Sequence, residues 1–225
     1  MKNDLRYEIK FILNEEELSE AFSFIKSEGA FKAYPDRNIN SLYFDTLQFD
    51  SIRDNLAGIS NRQKVRLRWY EKFINNEPAI FEIKKRIGRL GCKEKYEIKD
   101  LTNSNIYDKS LNEIKNILFE NIFKNQNILD EIYLPTLLVN YDREYYETDI
   151  FRITLDKNIS YSNVTLHNIL THYTPLEYKG HILELKFKPN VKDIISKKIK
   201  YLNLIPKRHS KYLVGMAMLG HSSYV

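Results

Sequence analysis

The stretch KVRLRWY, residues 64–70, constrains the fold more than any other part of the sequence. Its cations Lys64, Arg66 and Arg68 alternate with a valine, a leucine and a tryptophan. Because successive side chains of a β-strand point to opposite faces, this segment predicts a strand with one cationic and one apolar face. An ordinary half-buried strand carries mixed polar residues on its exposed face, so three cations in succession require an explanation.

The same alternation recurs in six further segments. They are RYEIK, FEIKKR, KEKYE, YDREY, FRITLD and ILELKFK, which begin at residues 6, 81, 93, 141, 151 and 182. For one strand, a solvated outer face explains such a pattern, since protein surfaces are charged. Across seven strands, cations facing one another would repel. The repetition therefore favours a closed barrel whose charged faces point inward and whose apolar faces pack outward against helices.

The sequence between the strands predicts the helices. Two residue pairs, Asn14 with Glu17 and Ser110 with Glu113, have the spacing of capping boxes and predict the starts of two helices. Further helices are predicted near 191–203 and from about Ser210. The first helix is expected to turn Leu18, Phe22 and Ile25 towards the core. A turn is expected at Asn75–Asn76 between two strands. These elements predict one α+β domain over residues 1–225, built around an antiparallel sheet or barrel.

Composition narrows the class of protein. Cys92 is the only cysteine, which excludes an internal disulfide and a cysteine zinc cluster and fits a reducing compartment. No run of 18 uncharged apolar residues occurs, so no membrane-spanning helix is predicted, and we expect a cytoplasmic location. The formal net charge of +5 is a mild excess, and Trp69 lies opposite the cations rather than among them. Both observations argue against a nucleic-acid partner.

A cationic interior needs a compensating anion, because clustered charges removed from water are costly unless they are paired. Triphosphate or polyphosphate suits this interior, since arginine forms bidentate bonds with phosphate and lysine supplies a point charge. The stripes also carry Glu8, Glu82 and Glu184. These carboxylates fit as ligands for Mg²⁺ or Mn²⁺, which prefer oxygen and bridge phosphate oxygens. The residues therefore predict a metal-assisted triphosphate or polyphosphate site.

Taken together, these motifs resemble the catalytic domain of the vacuolar transporter chaperone (VTC) family, the polyphosphate polymerases of the CYTH/triphosphate tunnel metalloenzyme superfamily. The matching stretches span nearly the whole chain; they are RYEIKFIL, SLYFDT, KVRLRWY, FEIKKR, YDREYY, FRITLD, ILELKFK and KRHSKYLVG. The resemblance implies an eight-stranded antiparallel β-barrel, the tunnel, with helices packed around it. It further implies that ATP or another nucleoside triphosphate donates its γ-phosphate to a growing polyphosphate chain.

The resemblance also implies roles for individual residues. Those expected to act in phosphate transfer are Arg66, Arg68, Lys84, Arg143, Arg152 and Lys211. Those expected to bind phosphates, including Lys64 and Lys186 from the charged stripes, are Lys10, Lys64, Lys95, Tyr141, Lys186, Arg208 and Ser210. Glu184 is expected to hold Mn²⁺ or Mg²⁺. Ser210 and Lys211 open the last predicted helix, whose N-terminal amides favour an anion.

The same residues are compatible with two other functions. Water could attack in place of phosphate, which would make the protein a triphosphatase or tripolyphosphatase. A non-catalytic polyphosphate-binding module would use the same cations without turnover. This sequence contains neither the regulatory domain nor the membrane spans of eukaryotic relatives, so coupling to export is expected to need a separate membrane partner.

Overall fold

The computed structural model describes residues 5–71, 76–123, 133–164 and 175–221. The strands are β1 (Tyr7–Leu13), β2 (Phe31–Asp45), β3 (Asn61–Glu71), β4 (Pro78–Ile87), β5 (Leu90–Thr102), β6 (Leu134–Glu147), β7 (Phe151–Asn163), β8 (Leu176–Tyr178) and β9 (His181–Phe187). The helices are α1 (Glu15–Ser27), α2 (Asp50–Leu56), α3 (Leu111–Leu118), α4 (Lys192–Ile199) and α5 (Lys211–Met218). A π-helical turn, Phe119–Phe123, continues α3.

The strands form one antiparallel sheet that curls until its two ends meet. Eight strands follow the order β1-β9-β7-β6-β2-β3-β4-β5, and the short β8 pairs with β7. At the meeting point Arg6 and Gly91 exchange backbone hydrogen bonds of 3.1 and 2.9 Å. Lys84 of β4 also forms an ion pair with Glu8 of β1 at 2.5 Å. The predicted eight-stranded barrel with surrounding helices is confirmed, although one isolated bridge closes it rather than a continuous ladder.

The apolar stripes face outward, as the alternation predicts. On β3, Val65, Leu67 and Trp69 are buried in a core that also contains residues of β4, β5 and α3. A second core joins the outer faces of β1, β7 and β9 to α1 and α4. Burying these stripes supplies the hydrophobic free energy that holds the sheet curled, because each apolar side chain leaves water on the outer side of the barrel.

One helix lies inside the curled sheet instead of outside it. Tyr212 and Met216 of α5 are buried together with inward-facing apolar residues of β2, β6, β7 and β9. Packing there is tight, because a Cβ atom on Gly215 would approach the Tyr161 ring to 2.5 Å and Leu137 to 2.6 Å. The expectation that all apolar faces turn outward therefore fails at this end of the barrel.

The sequence placed most helix ends correctly. The side chains of Asn14 and Ser110 cap α1 and α3 in complete capping boxes, and Ser210 caps α5. Two details differ from the prediction. The helix α4 ends at Ile199 rather than near 203. In α1, Phe22 is 39% exposed, and the buried residues are Ala21, Phe24 and Ile25. The predicted turn at Asn75–Asn76 begins outside the described residues.

A cationic interior as the candidate active site

Most of the sequence-predicted site residues meet inside the barrel. Inward-facing positions of the strands and the start of α5 bring together Lys10, Lys64, Arg66, Arg68, Lys84, Tyr141, Arg143, Glu184, Lys186, Ser210 and Lys211. Period-two strand geometry explains the clustering, because residues two apart on each strand share the inner face. Four buried or nearly buried carboxylates, Glu8, Glu82, Asp156 and Glu184, organise the cations.

Glu82 holds the two arginines of the KVRLRWY stretch. Its Oε2 accepts hydrogen bonds from Arg66 at 2.6 and 2.8 Å and lies 3.5 Å from Arg68. Its Oε1 accepts from Lys93 at 3.0 Å. Burial would raise the pKa of Glu82, but the nearby cations, led by Arg68, hold it well below its ordinary value. Both oxygens of Glu82 are thus occupied by cations, which gives it an anchoring position rather than the metal-ligand position considered from sequence.

Asp156 organises the neighbouring group of cations. It accepts two hydrogen bonds from the Arg143 guanidinium, at 2.5 and 2.7 Å, and a further bond from Lys211 of α5. The Tyr141 ring lies below both cations, with Arg143 5.2 Å and Lys211 4.5 Å from its centroid. Burial would raise the pKa of Tyr141, but Arg143 and Arg68 lower it to about 8. Its hydroxyl also accepts a bond from Arg68 at 3.0 Å, so it links the two groups of cations.

Glu184 has the features expected of a metal ligand that needs further donors. Its Oε2 pairs with Lys186 at 2.9 Å, while its buried Oε1 has no hydrogen bond within the described part of the chain and lies 3.6 Å from Lys10. Glu8 is its electrostatic neighbour. No group of three or more possible metal-binding His, Cys, Asp or Glu residues occurs among the described residues. The residues fit a hard cation whose coordination phosphate oxygens would complete.

Lys64 lies deep in the interior without a carboxylate partner among the described residues. Its ammonium group donates to the Ser210 hydroxyl at 2.6 Å, at the N-terminus of α5. Burial lowers the pKa of Lys64 well below its ordinary value, and neighbouring Lys10 and Lys84 lower it further. Lys10 in turn donates to the backbone carbonyl of His209 at 3.0 Å. This corner of the site therefore has an excess of positive charge next to helix amides, which is the setting that binds phosphate.

Three predicted site residues lie apart from this interior. Lys95 shares the inner face of β5 but is exposed, and Arg208 is exposed before α5. The Arg152 side chain is 57% exposed and pairs with Glu147 at 2.7 Å. Arg152 lies at the start of β7 and Arg208 in the segment before α5, whereas Lys95 lies in the middle of β5, the last strand of the sheet order.

Sequence reasoning missed several residues of the interior. Asp156 and Lys93 were visible on their charged stripes, but no signal distinguished them from surface residues. Tyr43 receives a bond of 3.0 Å from Arg66 and stacks on Tyr212 of α5 at 5.0 Å, which links the helix to the cations. The inward position of Tyr43 follows from the β2–β3 register, in which it faces Arg66. That pairing could not be read from β2 alone.

The antiparallel sheet curls around a charged interior, and the family comparison agrees with this architecture. The chain belongs to the VTC domain family, whose sequence model matches residues 5–220. No curated protein sequence matches the chain significantly. No helix among the described residues is long and apolar enough to cross a membrane.

Solved structures share this fold at low sequence identity. A candidate adenylyl cyclase from Hippeastrum, described as having a dominant triphosphatase activity, is 12% identical and has a TM-score of 0.55, with 95% of each chain covered. A conserved hypothetical protein from Pyrococcus furiosus is 12% identical with a TM-score of 0.56, covering 92% of this chain and 99% of the other. A candidate adenylate cyclase from Bacillus halodurans is 13% identical with a TM-score of 0.52, covering 93% and 97%. At these identities the similarity concerns the fold.

Proposed function

We propose that this chain is a polyphosphate polymerase that transfers the γ-phosphate of ATP or another nucleoside triphosphate to a growing inorganic polyphosphate chain. The observation that carries the proposal is the inward-facing cluster of cations, more numerous than the four carboxylates among them. A polyanion is the ligand that such an interior accommodates, because it neutralises the excess charge with many acceptor oxygens. Membership of the VTC domain family supports the same function.

Positioning and charge neutralisation account for most of phosphoryl-transfer catalysis. Arg66 and Arg68 on β3, with Arg143 on β6, would hold the triphosphate. These two strands flank β2, and Tyr141 of β6 contacts both Arg68 and Arg143. Lys64 and Ser210 would bind a neighbouring phosphate at the start of α5. The terminal phosphate of the growing chain would then attack in line, and no protein nucleophile is needed.

Glu184, with Glu8 beside it, would hold Mn²⁺ or Mg²⁺ together with phosphate oxygens. A divalent ion bound there supplies neutralisation of the charge that develops on the transferred phosphate. The chain's own contribution is to keep both carboxylates ionised. Burial would raise the pKa of Glu184, but Lys186 and Lys10 hold it well below its ordinary value, so it stays charged at neutral pH.

Product analysis separates polymerisation from hydrolysis. Incubation with ATP and Mn²⁺ should give long chains on a gel that resist nuclease and are degraded by an exopolyphosphatase. Orthophosphate as the sole product would make the protein a triphosphatase. Tight polyphosphate binding without turnover would make it a binding module.

Two adjacent lysines on β4 allow a matched test of whether the active site lies inside the barrel. Lys84 points inward and pairs with Glu8 at 2.5 Å, whereas Lys85 points outward and pairs with Glu94 at 2.7 Å. Lys84→Met should lower activity at least tenfold, because it removes a cation beside the proposed metal and phosphate site. Lys85→Met removes the same charge from the same strand and should leave activity within about twofold, since exposed pairs contribute little. Equal effects of both substitutions would contradict an internal site.

A further inference from the structure

The two ends of the barrel interior differ in chemistry. Near the start of β3, partial burial lowers the pKa of Arg62, and the neighbouring charges of Arg86 and Arg208 lower it further. Lys64 lies close to Arg62 and Arg86. We call this the cationic end. Tyr70 lies on the same inner face of β3, eight residues after Arg62, which corresponds to about 26 Å along the strand. The end marked by Tyr70 has aromatic rings where the other end has cations.

Four side chains form this aromatic end: Tyr34, Arg37, Tyr70 and Tyr145. The Tyr34 and Tyr145 rings meet edge to face at 5.7 Å between centroids. The Arg37 guanidinium lies over the Tyr70 ring, 4.9 Å from its centroid. Tyr70 and Tyr145 are half-buried, and Tyr34 is 47% exposed. Tyr70 and Tyr145 pack against the inner-face apolar cluster, and all three rings keep part of their surface exposed to solvent.

The aromatic end continues directly into the phosphate-binding interior. On β6, Tyr145, Arg143 and Tyr141 follow one another on the inner face, about 7 Å apart at each step. Burial raises the pKa of Tyr145 to about 12, and its electrostatic neighbours include Arg143, Tyr70 and Tyr141. An aromatic group bound at Tyr145 would therefore have its attached phosphates beside Arg143 and, one step deeper, beside Tyr141 and Arg68.

We propose that the cluster of Tyr34, Arg37, Tyr70 and Tyr145 binds the nucleobase of the phosphate donor, with the triphosphate extending inward to Arg143 and Arg68. This inference rests on the proposed function and adds where, and in which orientation, the nucleotide binds. Bases stack on aromatic rings and on guanidinium planes, and both surfaces are present here. No hydrogen bond engages the hydroxyls of Tyr34, Tyr70 or Tyr145 within the described part of the chain, so packing of the barrel does not depend on their polar ends.

The orientation has a second consequence. With the base at the aromatic end, the γ-phosphate points towards the cationic end, where Lys64 and Ser210 lie. The acceptor polyphosphate, which carries no base, would then occupy the cationic end. A nucleotide bound the other way round would place its base among cations and its phosphates among tyrosines.

The test compares ATP with inorganic tripolyphosphate, because only ATP has a base. Dissociation constants for both ligands, without metal and with Mn²⁺, are measured by calorimetry for the wild type, Tyr34→Leu, Tyr145→Leu and Tyr145→Phe. Tyr201→Leu is the matched control, since Tyr201 is 90% exposed and lies in the segment after α4. The leucine variants at 34 and 145 should weaken ATP binding about tenfold, the loss expected for one base–aromatic stack, and leave tripolyphosphate binding within about twofold. Tyr145→Phe should retain ATP binding.

The outcomes distinguish this inference from the proposed function. Equal losses for ATP and tripolyphosphate, or an unchanged affinity for ATP in both leucine variants, would overturn the nucleobase site while leaving a phosphate-binding interior. A wild type that binds neither ligand would overturn the proposed function itself. Melting curves of Tyr34→Leu guard against misfolding, because this side chain is nearly half exposed and its loss should change the melting temperature little.

Discussion

At the scale of single residues, the carboxylates decide the geometry of the interior. Inward-facing cations on the same strand and on neighbouring strands would repel one another if no carboxylate lay among them. Glu82 prevents this by accepting from Arg66 and Lys93 and lying 3.5 Å from Arg68. The cations are therefore held in fixed positions before a substrate binds, so a polyphosphate meets donors that need little rearrangement.

Replacing Glu82 with glutamine should destabilise the free protein and increase its stabilisation by ligand. Glu82 is 1% exposed, and breaking a buried ion pair at one partner costs about 3–5 kcal/mol, because the remaining charges stay uncompensated. Chemical denaturation with and without tripolyphosphate measures both effects. Glu94→Gln, on the outer face of β5 beside Lys85, serves as the control and should cost less than about 1 kcal/mol. An equal loss in both variants would contradict an organising role for Glu82.

Lys93 should make stability depend on pH. Burial, together with the charges of Arg68 and Arg66, lowers its pKa to about 7 despite Glu82, whereas an unfolded lysine titrates near 10.5. Between these values the unfolded chain binds more protons than the folded chain, so stability should rise with pH. Lys64 and Tyr141, whose folded pKa values are also lowered, contribute with the same sign.

The melting temperature of the ligand-free protein should therefore increase as the pH is raised through this window, and tripolyphosphate should bind more weakly as Lys93 loses its charge. Lys93→Met should show a flatter melting-temperature profile than the wild type. A wild-type melting temperature that falls steadily above neutral pH would be incompatible with buried lysines of lowered pKa.

At the scale of elements, the alternation of charged and apolar residues predicted the strands well, but it did not predict the β-bulges that interrupt this alternation. Seven charged stripes identified seven strands and the side of each that carries charge. On β2, however, the register shifts between Lys32 and Tyr34 and again between Tyr34 and Arg37. Such bulges change which face a residue occupies. The sequence pattern could therefore not place Tyr34 and Arg37 with the inward-facing residues.

The position of α5 inside the curled sheet also could not be predicted from the sequence pattern. Capping by Ser210 predicted where the helix begins, and the structure confirms this start. Whether an apolar helix packs outside or inside a barrel depends on the space left between distant strands. Here Leu137 and Tyr161 on the inner face accept the helix, and Gly215 permits the close approach. Only the assembled sheet contains that information.

Gly215→Leu tests whether α5 positions the phosphate-binding residues. The added side chain would meet Tyr161 and Leu137 and push the helix away from the sheet, costing about 1–3 kcal/mol. Ser210 and Lys211 would move with it, so tripolyphosphate affinity should fall although Gly215 lies within the apolar contact of α5. Met218→Ala, at the exposed end of the same helix, should change neither quantity appreciably. If Gly215→Leu lowers stability but the affinity for tripolyphosphate is unchanged, α5 does not position the phosphate-binding residues.

At the scale of the whole molecule, the contact that closes the barrel has fewer backbone hydrogen bonds than the pairings between neighbouring strands of the sheet. Neighbouring strands along the eight-strand path pair through at least six residues each, whereas β1 and β5 meet through the single Arg6–Gly91 bridge within the described residues. The Lys84–Glu8 ion pair spans the same seam, and both partners belong to the interior. A seam with few backbone bonds opens locally at low cost in free energy. A ligand that contacts both sides would favour the closed form by binding it more tightly.

Hydrogen exchange can detect this coupling. The amides of Arg6 and Gly91, which form the bridge, should exchange faster than amides in the centre of β6 or β3 when the protein is free. Saturating tripolyphosphate should slow exchange at the seam by more than at Ile98 of β5, whose buried position on the outer side gives a reference within the same strand. In Lys84→Met the ligand should lose most of this effect, because the cation that links the seam to the phosphate is gone. Uniform protection of all strands would instead mean that the ligand stabilises a barrel already closed, and the seam would have no part in substrate entry.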